Sequence, residues 1–197
     1  MGEFVVVLKW VEINNGESMH LDLMRDEAKK FPKVNNHNDI HSIRIWHCKY
    51  KTLQVLEEFP NVEELVVASF PDDSLDFLVT LSKLKYLSII HLPKISSLDP
   101  LAKLLHLDSL SLSTSPAWDA QGKCTIIQSL APLTEIEPLH HLELFGVCPE
   151  NKLLSDLDKC KNLVTARFSQ FQKGEGERFY KTTGVVNEFN PKPTFKI

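Results

Sequence analysis

A strand-like signature, apolar-x-x-apolar-x-apolar, recurs along this chain at a nearly fixed period, and no other feature restricts the fold as strongly. It reads Ile40-x-x-Ile43-x-Ile45, Val62-x-x-Leu65-x-Val67, Leu84-x-x-Leu87-x-Ile89, Leu107-x-x-Leu110-x-Leu112, Leu139-x-x-Leu142-x-Leu144 and Leu163-x-x-Ala166-x-Phe168. Successive steps are 22, 22, 23, 32 and 24 residues. Stepping back 22 residues from Ile43 and Ile45 reaches Leu21 and Leu23, so His20-Leu21-Asp22-Leu23-Met24 is expected to open the series. A unit this short cannot bury its own leucines. Stacked on its neighbours, it contributes one turn of a continuous core.

The segments between the strands are as regular. Leu53, Leu56 and Phe59 lead into one strand, and Leu75, Leu78 and Leu81 into the next. Ile95, Leu98 and Leu101, then Ile127, Leu130, Leu133 and Ile136, then Leu157 and Cys160, repeat the arrangement. Residues three apart nearly eclipse in a 3₁₀ turn, so short 3₁₀ pieces are expected on the return side. Parallel strands stack about 4.8 Å apart, which turns identical apolar positions into ladders through the core.

The stretches SLDPLAKLLHLDSLSL and SLAPLTEIEPLHHLELFG resemble the internalin-type subclass of leucine-rich repeats, and the resemblance extends over residues 18–171. It implies an α/β solenoid: a curved right-handed superhelix with a parallel concave sheet and short 3₁₀ or helical convex segments, capped at both ends. It implies protein recognition in general, because such repeats serve many unrelated partners. One departure stands out. Where the family places asparagine after each strand, this chain has Cys48, Phe70, Leu92, Ser115, Val147 and Phe171. An apolar edge with less regular turns is expected instead.

The expected organisation is an N-terminal cap strand at 1–17, about seven coils at 18–171, and a C-terminal cap at 172–197. Residues 3–13 read as a strand closed by the turn signal Asn14-Asn15-Gly16, placed to cover the first coil. Residues 25–36 hold the pattern poorly: Phe31 and Val34 keep the register, but His37 takes the next apolar place. Residues 113–125 interrupt the period as a loop carrying Pro116, Trp118 and Gly122. Trp118 has two readings, a side chain folded back onto the coil edge or an anchor for a partner. GEGERFYKTTGVVNEFNPKPTFKI reads as two short strands around Thr183-Gly184 followed by an extended tail, with Phe179, Val185 and Phe189 covering the last coil.

Composition removes several classes of function. A net charge of −4 gives no electrostatic footprint for nucleic acid. No stretch approaches the roughly 20 apolar residues that span a bilayer. The start, MGEFVVVLKWVEI, lacks the basic n-region and long apolar run of a secretory signal, so a cytoplasmic protein is expected, a trimmed mature chain being the alternative. No Gly-rich phosphate loop, serine elbow or His-Glu-x-x-His occurs. Cys48, Cys124, Cys148 and Cys160 lack metal-finger spacing; Cys48 and Cys160 are expected to be buried thiols. Cys124 and Cys148 approach one another near the insertion, where a cytoplasmic location disfavours a disulfide. The histidines do not converge as a metal site requires, and neither metal nor cofactor is expected.

Strand alternation sends the leucines inward and the residues between them to the concave face. The central row is then Asp22, Arg44, Val66, Ser88, Ser111, Glu143 and Arg167. The row beside it is Met24, Trp46, Ala68, Ile90, Ser113, Phe145 and Ser169. Trp46, Tyr86, Ile90 and Phe145 are expected to face solvent among small serines, the composition of a recognition hot spot. Packing of these side chains on one another, with no partner, is the plainer explanation. His20, His41, His47, His91, His140 and His141 fall on or beside the same face, which suggests binding that varies between about pH 5.5 and 7.5.

The sequence thus describes a non-enzymatic module that binds a protein, not a nucleic acid, membrane or small-molecule substrate. The expected contact residues are Arg44, Trp46, Tyr86, Ser88, Ile90, Trp118, His141, Glu143, Phe145 and Arg167. The alternatives are an immunity-like inhibitor that occludes a toxin or enzyme, and an enzyme using Cys124 or Cys148 with a nearby histidine.

Overall fold

Each leucine signature becomes one strand of a continuous sheet. A computed structural model describes residues 5–13 and 16–195 of the chain. The strands are β1 (Val5–Ile13), β2 (Gly16–Met24), β3 (Ile40–Trp46), β4 (Glu64–Ala68), β5 (Tyr86–Ile90), β6 (Ser109–Ser113), β7 (Thr125–Ile127), β8 (His141–Phe145), β9 (Val147–Pro149) and β10 (Thr165–Ser169). Eight of them form one sheet in the order β1-β2-β3-β4-β5-β6-β8-β10; β7 and β9 pair separately. All pairs in the large sheet are parallel except β1 with β2.

The register is the one dictated by the repeat. Leu21, Ile43, Leu65, Leu87, Leu110, Leu142 and Ala166 lie side by side, and every one is fully buried. Slipping a strand by one residue would turn its leucines outward, which is why the pairing is so strongly specified.

On the return side, 3₁₀ turns occupy Gln54–Glu58, Asp76–Thr80, Asp99–Lys103, Ala131–Glu135 and Ser155–Lys159. They bury Leu56, Leu78, Leu101, Leu133 and Leu157. The first four each begin with a short polar side chain that accepts a backbone N–H two residues on. Thr52 takes it from Gln54, Ser74 from Asp76, Ser97 from Asp99 and Ser129 from Ala131. These side chains replace the backbone partners that a 3₁₀ turn lacks at its start.

The strands leave the sheet through a second regular device. Arg25, His47, Ser69, His91, Gly146 and Gln170, at equivalent places, all have φ between +53° and +71°. The turns are therefore regular, not the less regular ones expected from the missing asparagines. Only one of these places requires glycine for space: a Cβ on Gly146 would lie 2.5 Å from the Thr114 hydroxyl. Beyond the turns the edge is apolar as expected, with Phe70, Leu92 and Val147 buried.

The first coil is irregular in its side chains but keeps its core. Phe31 packs on Tyr50 and Phe59, with ring centroids 5.3 and 6.0 Å away. His37 fills the place of a leucine by lying 4.4 Å from the Phe59 ring. The Tyr50 hydroxyl donates to the buried Asp26 carboxylate at 2.7 Å. β1 pairs along the edge of β2, from Val5 opposite Met24 to Ile13 opposite Gly16. The expected turn residues Asn14 and Asn15, and the β1 side chains on which its expected capping role rests, lie outside what the structure describes.

The two strands expected around Thr183-Gly184 are not there. Glu175–Thr183 is a helix, which we number α2 because α1 (Pro116–Ala120) lies in the insertion. Gly174 and Gly184 bracket α2 in left-handed conformations, as helix ends commonly require. Arg178 bonds Glu175 one turn back at 2.7 Å, and the buried Glu175 carboxylate accepts the Leu154 N–H at 3.0 Å. A helix presents Phe179 and Tyr180 together to Phe168 of the last coil, at 5.3 and 6.0 Å. Alternating strand residues would have sent these two neighbours to opposite faces. Phe179 and Val185 are buried, whereas Phe189 is only half-buried.

Candidate functional site

The sheet presents three parallel rows on its concave side. The first contains His20, Ser42, Glu64, Tyr86, Ser109, His141 and Thr165. The central and outer rows are those read from the sequence. Their side chains differ sharply in environment.

The central row is largely closed. Asp22 and Arg44, 6% and 9% exposed, form a two-pronged ion pair: the Arg44 Nε–H donates to Asp22 Oδ1 at 2.7 Å and Nη2 donates to Oδ2. Val66, Ser88 and Ser111 are also buried. Ser111 donates to Glu143 at 2.9 Å, and Arg167 lies 3.6 Å from the same carboxylate. The guanidinium of Arg167 also sits 4.9 Å from the Phe145 ring centroid, within cation–π range. Two carboxylates thus meet two guanidiniums, and the middle of the face carries no net charge. Arg44 and Ser88, expected contact residues, are both less than one-tenth exposed in this row.

The outer row keeps apolar surface in reach of solvent. Met24 is exposed, and Trp46, Ile90 and Phe145 are partly exposed, separated by the small residues Ala68 and Ser113. Trp46, Ile90 and Phe145, expected to face solvent, do so only in part. The Trp46 ring leans edge-on against His47, with centroids 5.4 Å apart.

The insertion is fastened beside this row. The Asp119 carboxylate accepts the Ser169 hydroxyl at 2.8 Å, and its carbonyl accepts Gln170 Nε2 at 2.9 Å. Trp118 in α1 folds back to lie edge-on to His91, 5.1 Å between centroids. The bonds to β10 hold the loop at one place on the coil edge.

The C-terminal tail, which the sequence reading did not assign to this face, meets the first row at Glu64 and His20. The Glu64 carboxylate accepts both the backbone N–H of Thr194, at 3.0 Å, and its hydroxyl, at 2.9 Å. Phe195 stacks on the His20 imidazole with centroids 4.0 Å apart. His20 in turn bonds Ser42 at 2.8 Å, and His141 bonds Thr165 at 2.8 Å. Burial holds the Glu64 carboxyl above the usual carboxylate range, and the two Thr194 donors work against that. Tyr86 is pushed up to about 12 by burial, with Glu143 and Glu64 adding to it.

Three of the cysteines, Cys48, Cys148 and Cys160, have thiols held above their ordinary range. Burial pushes Cys148 up to about 12, with Cys124 beside it adding to the shift, and pushes Cys160 up to about 11. Cys48 is raised for the same reason, and its thiol donates to the Leu23 carbonyl at 3.5 Å. Cys48 and Cys160 are only partly buried, whereas Cys148 is fully buried. A nucleophilic cysteine needs the opposite arrangement, an exposed thiol with a lowered pKa. Among the described residues no group of His, Cys, Asp and Glu is placed to hold a metal. Nor is any helix among them long and apolar enough to cross a membrane.

No protein-family model and no curated protein matches the sequence. Solved structures do match the fold. Internalin C2 from Listeria monocytogenes superposes with a TM-score of 0.56 at 17% identity over 76% of this chain. Internalin F from the same organism superposes with a TM-score of 0.52 at 12% identity over 76% of the chain. The matches span 60% and 42% of those two chains. The fold is a leucine-rich-repeat solenoid of the internalin type.

Proposed function

We propose that this protein is a non-enzymatic recognition module that binds a protein partner on the concave face of its solenoid. The observation that carries this reading is the outer row. Met24, Trp46, Ile90 and Phe145 form a line of large apolar side chains with partial exposure, spaced by Ala68 and Ser113. Aromatic anchors with small residues between them have the composition of an interface centre. The charge-neutral central row beside them would take a partner without demanding a strongly charged one. The raised thiols and the lack of catalytic motifs fit binding, not turnover.

The test is capture of partners from the source cell by wild type and by Trp46→Glu/Phe145→Glu, with circular dichroism to establish that both fold. A partner held by wild type and lost by the folded variant is the expected result. A partner held equally by both refutes recognition through this row.

A further inference from the structure

The tail runs between the two ends of the first concave row. It leaves α2 at Val186, whose N–H donates to the Val164 carbonyl and whose carbonyl accepts the Ala166 N–H, beside β10. At Phe195 it stacks on His20 of β2. Those two points are the opposite ends of the first concave row, Thr165 and His20. Six inter-strand steps of about 4.8 Å make that row about 29 Å long. Nine residues of extended chain at about 3.3 Å each cover about 30 Å. The segment is the right length only if it runs straight across the strands.

Its side chains alternate accordingly. Phe189 and Pro191 are half-buried and Pro193 and Phe195 are buried, whereas Asn190, Lys192 and Thr194 are exposed. One edge of the extended segment therefore faces the sheet. The polar row at that level is covered: His20 is 3% exposed, Ser42 0%, Ser109 3% and Thr165 6%. Yet the attachment is light. Among the described residues, no hydrogen bond ties Phe189 to Pro193 to the sheet, and Pro191 and Pro193 have no N–H to give. Among the described residues the fastenings lie at the two ends, in the bonds at Val186 and in the Glu64–Thr194 and His20–Phe195 contacts.

We propose that residues 187–195 are a displaceable strap over a peptide-binding groove. The groove takes an extended segment of a protein partner in which a hydroxyl-bearing residue precedes an aromatic one. Glu64 reads the backbone N–H and hydroxyl together, and His20 reads the ring. The strap occupies the groove as a tethered stand-in for that segment. This rests on the reading of the concave face as the recognition face, and it adds the chemistry of the occupant.

The experiment keeps the full chain. Thr194→Ala/Phe195→Ala removes the hydroxyl bond and the ring stacking, leaving a single backbone N–H on Glu64, and so unfastens most of the strap's end without touching the leucine ladder. The probe is a fluorescein-labelled peptide of residues 187–195, NEFNPKPTF, titrated by anisotropy against wild type, the double variant, and the double variant with Glu64→Gln. A tether of this kind acts at about millimolar effective concentration. For a peptide binding at about 0.1 mM, wild type should therefore bind it about tenfold more weakly than the unfastened variant. Glu64→Gln, and a peptide with Thr and Phe exchanged, should both lose that binding. Equal binding by wild type and the unfastened variant would overturn the strap. No saturable binding by the unfastened variant up to millimolar peptide would overturn the groove, as would indifference to Glu64→Gln. Capture of a partner that depends on Trp46 and Phe145 would still stand after either failure, so the two readings fail separately.

Discussion

The Asp22–Arg44 pair allows the sharpest test of the concave face as a structural element. Both side chains are below one-tenth exposed, and the pair is two-pronged between neighbouring strands. Arg44→Met fills much of the same volume but leaves the Asp22 carboxylate buried without the donors that satisfy it. Breaking a buried pair from one side costs about 3–5 kcal/mol, because the surviving charge is uncompensated. For a chain of this length each kcal/mol lowers the melting temperature by about 2–4 °C, so a fall of roughly 6–20 °C is expected. Adding Asp22→Leu to Arg44→Met removes the stranded charge, and exchange of a buried pair for apolar groups is often neutral. The double variant should recover most of the loss. Thermal and urea unfolding followed by circular dichroism measure both variants. Coils of a solenoid contact only their neighbours, so hydrogen exchange should rise first at β2 and β3. A double variant as unstable as Arg44→Met, or more so, would refute the argument that an uncompensated Asp22 causes the loss.

Two further outcomes follow from the ladder and the cap. Leu87 is fully buried between Leu65 and Leu110, so Leu87→Ala should cost about 2–5 kcal/mol in urea unfolding; an unchanged midpoint would contradict the register. At the cap, the hydrogen bond from Arg178 holds the Glu175 carboxyl below its usual range, against the opposing effect of burial, and the Leu154 N–H adds to the lowering. A carboxyl lower in the folded than in the unfolded state contributes stability above its unfolded value, ~4.3, and loses it as pH falls through the folded value. Glu175→Gln should therefore be less stable than wild type at pH 7, with the gap closing as unfolding is measured toward pH 3. A gap independent of pH would show that the carboxylate charge is not what matters.

The solenoid was legible because its cause is periodic. Leu21, Ile43, Leu65, Leu87 and Leu110 repeat at a step the backbone must honour, and a strand's alternation leaves no freedom in which face they take. The same arithmetic located the 3₁₀ turns. It also contained a signal that went unread: Thr52, Ser74, Ser97 and Ser129 return once per coil, each capping the next turn. The cap at α2 was lost for a different reason. Glu175, Arg178 and Phe179 are helical only because Leu154 and Phe168 of the last coil offer partners for that spacing. A tertiary surface decided it, and local propensity did not.

The candidate site was legible only in part, for a reason that lies in what periodicity measures. Repeat spacing states which residues leave the core, and so it correctly sent Arg44, Ser88, Tyr86 and Trp46 to the concave side. It says nothing about what else lies there. Arg44 is closed off because Asp22, 22 residues earlier, is its neighbour in register, a pairing visible in the sequence once the rows are written out. The tail is harder, because the residues it meets, Glu64 and His20, are 130 and 175 positions away from Thr194 and Phe195. Its one local mark is the alternation Phe189-x-Pro191-x-Pro193-x-Phe195, a period of two in a segment with too few N–H groups to join a sheet. An apolar edge of that kind with no strand to pair requires a surface to lie against. In this chain the uncovered surface of matching length was the concave row itself.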